Sequence, residues 1–552
     1  MERRDRARRA PGWARWGVRP RALAAVGALA AGALGLGMVT PGLRAGASAR
    51  VASAGHGKGP SVTPRRGGSL TVLEGSDFAG SWPGLDPATN TNGDANSSMM
   101  NSIFGQLFEV GPTGSNIPDL ATGYKFLNGN KTIEIFLRKG VRFTDGTPFN
   151  SAAVVWNWKR DLAASCTCKP TFNQTAPPII KAEGPYAVEI TLQYVDAPFI
   201  IGLQGDVFNW IASPTAERKM GETAFALKPV GAGPFEVVSD TTSNTLVLKR
   251  NPHYWNRPLP YLDTLIFKSV ATDEAALEAM EAGSGQAYEL GSTVGLEPAF
   301  RSHFTYLKLP SSSPYDIQLN TLAPPFNNMK AREAVYYATN CALLDQKLFN
   351  DQEPCGQSFT APGGLFYEQK VPGYLTYNLK KAKALVKQLG GLSVNLITIS
   401  SPVALSLDEG LQTMWQQAGM KVTLSQDGLP ALIGAFVGKK WQAALQTAGA
   451  FDPATTVGGV PVGFRFASNS PFSGVHDPHL NGLIDKAASV LNPVTRQKYY
   501  DATAAYIAKK AYGPFLFSID GFSAVVHGAG IPAFGAKGSA GPGWEYAYNN
   551  NR

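Results

Sequence analysis

The sequence predicts a mixed α/β protein with more than one lobe. Short segments with a period of two alternate along the chain with helical segments, and several of the helical segments end at a glycine in the C-cap position. The chain has 552 residues, which is too long for one compact core, while 44% hydrophobic and 16% charged residues are typical of a globular protein. This composition excludes an intrinsically disordered chain, and one long apolar run excludes a polytopic membrane protein.

Alternating hydrophobic residues predict short strands, in one of which Ile133, Ile135 and Leu137 share a face. The predicted strands are residues 69–74, 132–138, 188–193, 245–250 and 264–268. The predicted helices are residues 151–162, 273–282, 330–339, 379–389, 405–418 and 495–511. In the second half, Gly419 ends a helix directly before the strand-like run 420–424, which indicates a parallel sheet in a lobe of its own.

The first 49 residues have the order of a secretory signal peptide. An arginine-rich stretch precedes the uncharged run 22–39, and the small-residue tripeptides 45–47 and 47–49 follow it. We therefore expect export to the periplasm or the cell-envelope exterior, with an uncleaved membrane anchor as the alternative. Because no Cys precedes Cys166, a bacterial lipid anchor is not expected. Residues 50–66, rich in Gly, Pro and Ser, are predicted to be a flexible linker.

The net charge of +9 comes from the N-terminal segment. Residues 1–50 contain 10 Arg and 2 acidic residues, and the rest of the chain contains 40 basic and 39 acidic residues. The body of the protein is thus nearly neutral, so no nucleic-acid partner is predicted.

An exported protein can form disulfides, and the chain has four cysteines. We expect a bridge between Cys341 and Cys355, which would close a modest loop across a turn. Cys166 and Cys168 are separated by one residue, which makes a strained ring; they are free, metal-bound or bridged.

Signatures of enzymes are missing from the sequence. It contains no Walker A loop, no H-E-x-x-H and no G-x-S-x-G, and no G-x-G-x-x-G lies between a predicted strand and a helix. His476 and His479 are the nearest approach to a metal pair, but Pro478 between them indicates a loop leading into a helix. We therefore predict no catalytic residue, no metal and no cofactor. Paired carboxylates of a secreted hydrolase stay open as an alternative.

Several segments, taken in order, resemble the family 5 extracellular solute-binding proteins of ABC importers. The most specific is Leu-Arg-Lys-Gly-Val-Arg-Phe-Thr-Asp-Gly-Thr-Pro-Phe at 137–149, where a strand, an Asp-Gly turn and a Pro before a helix agree with the local physics. The other segments are 67–72, 85–88, 103–108, 118–121, 230–235, 251–255, 262–263, 332–338, 380–385 and 415–422.

This resemblance implies a class II periplasmic-binding-protein fold, with two lobes, a cleft between them and an inserted extra domain. By analogy, domain I comprises residues 67–100, 229–313 and 516–552. The inserted domain II comprises residues 101–228, and domain III, the second lobe, comprises residues 314–515. Most motif residues are expected to set turns and fill cores.

Ligand contacts are expected where strands end at the cleft. The nominated residues are Ser76, Asp77, Phe78, Trp82, Tyr315, Trp441, Thr447, Gly449 and Phe451. The segment ending in Asp452-Pro453 resembles the family segment whose Asp holds a peptide's ammonium group, but Gly449 occupies the matching position. A desolvated ammonium needs a charge partner. Either another acid, such as Asp77 or Asp452, replaces it, or the ligand has no free α-amine.

The resemblance implies a binding protein that closes on a peptide or peptide-like solute and presents it to the permease subunits of an ABC importer. The alternatives are an oligosaccharide or other organic solute, and a ligand-sensing receptor. A secreted hydrolase is less favoured. A monomer is expected from the family.

Gly449→Asp tests whether the carboxylate that binds a peptide's ammonium group is missing at position 449. If Gly449 stands where the ammonium partner is missing, the new carboxylate should strengthen binding of peptides with a free α-amine and leave N-acetylated peptides unaffected. Isothermal titration calorimetry with di- to pentapeptides measures the difference. Tight binding of free-amine peptides by the unmodified protein, with no change in Gly449→Asp, would contradict it.

Overall fold

The computed structural model describes residues 63–75, 84–90, 97–110, 116–164, 177–203, 206–241, 244–290, 303–309, 314–362, 364–400, 402–447, 462–519, 521–530 and 543–550. In chain order, the strands are β1 Ser69–Gly75, β2 Phe108–Val110, β3 Asn116–Pro118, β4 Ala121–Leu127, β5 Thr132–Leu137, β6 Ile179–Ala182, β7 Ala187–Thr191, β8 Phe235–Thr241, β9 Thr245–Arg250, β10 Thr264–Val270, β11 Ala287–Leu290, β12 Phe304–Leu309, β13 Pro314–Leu319, β14 Ser393–Ile399, β15 Lys421–Asp427, β16 Ala443–Thr447, β17 Phe515–Ser518, β18 Gly521–Val526, β19 Ala529–Gly530 and β20 Tyr548–Asn549.

The helices, in chain order, are α1 Ser97–Phe104, α2 Ser151–Ala163, α3 Phe199–Gly202, α4 Pro214–Met220, α5 Glu222–Leu227, α6 Asp273–Glu281, α7 Met329–Ala338, α8 Cys341–Leu344, α9 Leu379–Gln388, α10 Pro402–Gln417, α11 Leu429–Val437, α12 Val462–Phe466, α13 Pro478–Ser489 and α14 Pro493–Lys510. Shorter 3-10 segments cover Pro87–Thr89, Val207–Asn209 and Trp544–Tyr546, and one π-helical turn covers Asp345–Phe349. Within the described ranges, every helix is too short or too polar to span a bilayer.

Local sequence signals account for where these elements begin and end. Asn150, Thr272 and Asn492 each accept a hydrogen bond from a backbone N–H in the first turn of α2, α6 and α14, as N-cap residues do. Gly419 follows α10 with a φ of +89°, and β15 begins two residues later. The five predicted strands and six predicted helices are present, with ends shifted by only a few residues.

Three main sheets organise the fold. A seven-stranded sheet has the order β12-β18-β11-β1-β10-β9-β8, and a five-stranded sheet has the order β15-β14-β16-β13-β17. The four-stranded sheet β4-β5-β7-β6 belongs to the predicted inserted domain. The mixed α/β fold class is therefore confirmed. The first sheet and the inserted region share one hydrophobic core, whereas the five-stranded sheet has its own.

Two details of the predicted second lobe need correction. Its sheet is mixed, because β14 runs parallel to β15 and β16 while β13 is antiparallel to β16 and β17. The lobe also extends beyond residue 515. Since Phe515–Ser518 pairs with Pro314–Leu319, the chain leaves the second sheet only after Ser518.

A buried ion pair ties the inserted region to the segment that follows β1. Arg160 on α2 donates from Nη1 to Asp86 Oδ1 at 2.7 Å and from Nη2 to Oδ2. Asp86 is fully buried and also caps the Pro87–Thr89 turn through Ala88 N–H. The Asp of the 85–88 motif thus has a structural task, because a bidentate guanidinium satisfies a carboxylate that burial would otherwise disfavour.

Cys341 and Cys355, the expected pair, form a disulfide with their Cα atoms 6.1 Å apart. The bridge joins α8 to a loop in which Cys355 forms an isolated β-bridge with Phe517. Cys166 and Cys168 lie outside the described residues.

The backbone at Gly513 lies against β13. A Cβ atom on Gly513 would overlap the carbonyl oxygen of Ile317, and Ile317 N–H donates to Pro514 O at 2.9 Å. Tyr336 Oη donates to Gly513 O at 2.6 Å and so holds α7 to the same point.

Gly513→Ala should therefore destabilise the protein, by roughly 1–3 kcal/mol, because the obstacle is backbone and cannot move aside. The matched control is Gly482→Ala within α13, where an added Cβ would have no atom within 4 Å. That change should be neutral or stabilising by roughly 0.4–1 kcal/mol. Urea unfolding measures both; equal effects would contradict the packing constraint.

Candidate functional site

Two neighbouring chain crossings connect the first sheet to the second. The chain leaves β12 at Leu309 and enters β13 at Pro314, and it returns from Ser518 at the end of β17 to Gly521 at the start of β18. Leu309 pairs with Gly521 in the first sheet, and Pro314 pairs with Ser518 in the second. The two crossings are therefore held side by side at both of their ends.

The same register places the carboxyl ends of the parallel strands at these crossings. In the first sheet, Leu290 at the end of β11 pairs with Phe522, and β1 runs parallel to β11. In the second sheet, Thr447 at the end of β16 pairs with Tyr315 at the start of β13. Both sheets thus turn their carboxyl edges toward the two crossings, which are called here the hinge. In open α/β sheets, ligands bind outside the carboxyl ends of the strands.

The nominated residues divide into three groups. Tyr315 and Thr447 lie opposite each other at the carboxyl edge of the second sheet, and burial raises the pKa of Tyr315 to about 12. Gly75, which directly precedes the nominated Ser76 but was not itself nominated, ends β1 at the carboxyl edge of the first sheet. The remaining nominees except Trp441 fall outside the described residues: Ser76, Asp77, Phe78, Trp82, Gly449 and Phe451.

The structure does not bring Trp441 together with Tyr315 and Thr447. It precedes β16 and therefore lies at the end of the sheet opposite to Thr447, where Leu319 pairs with Ala443. Its side chain is 4% exposed and its ring centroid lies 5.1 Å from that of Phe436 in a small hydrophobic cluster. The strand enters the sheet at Trp441 and reaches the cleft only at Thr447.

A cluster of buried polar side chains next to Thr447 was not anticipated. Asp316 and Gln318 alternate with Ile317 and Leu319 on β13, and only the latter two join the main core of the lobe. The other face of the sheet receives Arg465 from α12. An Asp and a Gln at alternating positions of a central strand were the only sequence signal.

Arg465 connects this cluster to the edge of the sheet. Its guanidinium donates from Nη2 to the carbonyl oxygen of Thr447, and its own carbonyl accepts from Gln318 Nε2 at 2.6 Å. Arg465 Nε lies 4.0 Å from Asp316 Oδ1. Burial raises the pKa of Asp316 to about 6, although the neighbouring Arg465 acts to lower it. Burial also lowers the pKa of Arg465.

The two histidines considered as metal ligands lie near the start of α13. Asp477 caps this helix by accepting from the backbone N–H of His479, and it also accepts from the hydroxyls of Tyr506 and Tyr512. These bonds lower the pKa of Asp477 despite its partial burial. Among the described residues, no three His, Cys, Asp or Glu side chains are grouped as metal ligands.

Comparison with known proteins gives a consistent result. Residues 116–463 match the family described as "Bacterial extracellular solute-binding proteins, family 5 Middle". The glutathione-binding protein GsiB of Salmonella choleraesuis is 28% identical over 324 residues, which cover 58% of this chain and 61% of that protein. The chain thus matches less than two thirds of the length of this relative.

Solved structures share the fold. The dipeptide-binding protein from Pseudoalteromonas sp. SM9913 in complex with Met-Leu aligns with a TM-score of 0.73 at 18% identity, covering 87% of this chain and 100% of that one. The binding protein AgaA from A. tumefacien R10, in complex with agropinic acid, aligns with a TM-score of 0.72 at 19% identity, covering 88% and 99%. At these identities the likeness establishes a shared fold.

Asp316→Asn tests the electrostatics of the cluster. Between the ordinary carboxyl pKa of about 4 and the folded-state value of about 6, the folded protein holds a proton at Asp316 that the unfolded chain releases. The contribution of Asp316 to the free energy of unfolding of the unmodified protein should therefore fall as the pH rises through this range. The variant lacks this pH-dependent contribution of the Asp316 carboxyl group. Its stability relative to the unmodified protein should therefore increase from about pH 4 to about pH 6.

Urea unfolding at several pH values across this range measures that difference. A difference that stays constant with pH would contradict the raised pKa.

Proposed function

Because the chain belongs to family 5 of the bacterial extracellular solute-binding proteins, we propose that it binds a peptide or peptide-like solute between its two lobes and presents it to the permease of an ABC importer. The observation that carries the proposal is the double crossing. It places the carboxyl edges of both sheets at one hinge, at Gly75 and Leu290 on one side and Tyr315 and Thr447 on the other.

A hinge of this kind couples ligand binding to the orientation of one lobe relative to the other. Two short connections permit rotation of one lobe on the other, and a ligand that contacts both edges stabilises the closed arrangement. The lobes also touch away from the hinge, since Ala197 N–H in the inserted region donates to Ala488 O in the second lobe at 2.7 Å. The permease would recognise the closed arrangement of the lobes.

The peptide-like character of the solute is supported by the relative that binds glutathione, at 28% identity. Binding without turnover is supported by the family, which is one of solute-binding proteins. The predicted signal peptide at 1–49 lies outside the described residues, and export to the periplasm or the cell-envelope exterior is part of this proposal, as is a monomeric state.

A thermal-shift screen of the mature chain tests the proposal. The panel contains di- to pentapeptides, their N-acetylated forms, oligosaccharides and metal chelates. A ligand at 100 times its dissociation constant should add about 2.7 kcal/mol to the free energy of unfolding. We expect stabilisation by peptides or peptide-like solutes, and mass spectrometry should recover them unchanged.

Stabilisation by oligosaccharides alone would replace the solute class while keeping the binding function. Conversion of any ligand to product would favour a hydrolase and overturn the proposal.

A further inference from the structure

A set of buried and half-buried polar side chains begins one residue inside the carboxyl edge of the second sheet. It consists of Asp316 and Gln318 on β13, Gln446 on β16 and Arg465 on α12, and is called here the polar cluster. Asp316 pairs with Gln446 in the sheet, directly next to the Tyr315–Thr447 pair at the edge. The cluster therefore adjoins the proposed cleft and is separate from the main core of the lobe.

The polar cluster contains atoms that have no hydrogen-bond partner among the described residues. Asp316 and Gln318 are fully buried, and Arg465 is 3% exposed. The unpaired acceptors are both carboxylate oxygens of Asp316 and Oε1 of Gln318; the unpaired donors are Nε2 of Gln446 and Nε and Nη1 of Arg465. Buried polar groups are nearly always satisfied, and leaving each one unpaired is costly.

Asp316 and Arg465 do not form a hydrogen bond with each other. The 4.0 Å between Arg465 Nε and Asp316 Oδ1 is within range of Coulomb attraction but too long for a hydrogen bond. An ion pair that serves only stability would be expected to close into direct bonds, as Arg160 and Asp86 do at 2.7 Å elsewhere in this chain. Both ions therefore keep unused hydrogen-bonding capacity.

The charges define what a third group between them must be. A simple anion on Arg465 would face the Asp316 carboxylate, and a simple cation on Asp316 would face the Arg465 guanidinium. A group with an ammonium and a carboxylate close together satisfies both ions. In an extended peptide the two terminal charges are separated by about 3.3–3.6 Å for each residue between them, whereas an α-amino-acid head group carries both on one carbon.

We propose that the polar cluster binds a free α-amino-acid head group of the solute, with the ammonium on Asp316 and the carboxylate on Nε and Nη1 of Arg465. The proposal rests on the proposed function and narrows its solute class to molecules that end in such a head group. Gln318 Oε1 accepts from the ammonium, and Gln446 Nε2 donates to the carboxylate.

Two isomeric probes separate this head group from an ordinary peptide end. S-methyl-γ-glutamyl-cysteinyl-glycine has a free ammonium and carboxylate on its first α-carbon, whereas in the α-glutamyl isomer that carboxylate is consumed in the peptide bond. The S-methyl group prevents exchange with the Cys341–Cys355 disulfide. Calorimetry of the unmodified protein should find the γ-isomer bound at least tenfold more tightly. Equal affinity, preference for the α-isomer, or no binding of either probe would overturn the proposal.

Variants then assign the preference to the polar cluster. The isomer ratio is the dissociation constant of the α-isomer divided by that of the γ-isomer. Asp316→Asn and Arg465→Gln should each reduce this ratio to below threefold. The matched control is Asp408→Asn, which removes a fully buried carboxylate from α10, whose Leu407 and Leu411 pack on the other face of the same sheet. The control should keep the full ratio. An unchanged ratio in both cluster variants would mean that the cluster holds only ordered water, and would overturn the proposal.

Folding defects are handled by a second variant. Because removing one member of a buried pair leaves the other charge unpaired, either single variant can fail to fold. The double variant Asp316→Asn/Arg465→Gln carries no unpaired ion; it should fold, by near-UV circular dichroism, and lose the isomer ratio. A protein that binds other solutes in the thermal-shift screen but shows no isomer ratio would keep the proposed function and lose this subsite.

Discussion

The pairing of the two crossing segments is the constraint on which the arrangement of this protein depends. In the first sheet β12 pairs with β18, and in the second β13 pairs with β17, so both connections are fixed at their ends by backbone hydrogen bonds. In these two sheets the remaining strands pair outward from β12, β18, β13 and β17, and the carboxyl edges of both sheets face the hinge. A shift of one crossing by one residue would turn each following side chain to the other face of its sheet.

Close backbone approach makes this pairing possible. Gly513 presents no side chain to the Ile317 carbonyl, and Tyr336 reaches the carbonyl of Gly513 from α7. The end of α14 is held in the same region, because Arg332 donates to the carbonyl of Lys510. The second lobe thus anchors its crossing strand from the helix layer as well as from the sheet.

Within the described part of the chain, two ion pairs with buried carboxylates, Arg160–Asp86 and Arg465–Asp316, differ in geometry. Arg160 and Asp86 form direct bonds and join two parts of the first lobe, so they act as a structural clamp. Asp316 and Arg465 stay 4.0 Å apart beside the edge of the second sheet, and burial raises the pKa of Asp316 to about 6. A site that keeps its charges apart retains the capacity to bind a polar group, at the expense of stability.

The sequence by itself determined the features that depend on residues close together in the chain. Alternation located β5 and β9, the caps Asn150 and Thr272 marked the starts of helices, and the segment 137–149 identified the family. Only the tertiary structure decided which strands pair and in what register. For this reason the sequence did not show that Trp441 and Thr447 lie at opposite ends of β16, because a strand's composition does not say which of its ends meets the cleft. Asp316 and Arg465 are distant in the chain, and their meeting is set by long-range pairing, which no local pattern records.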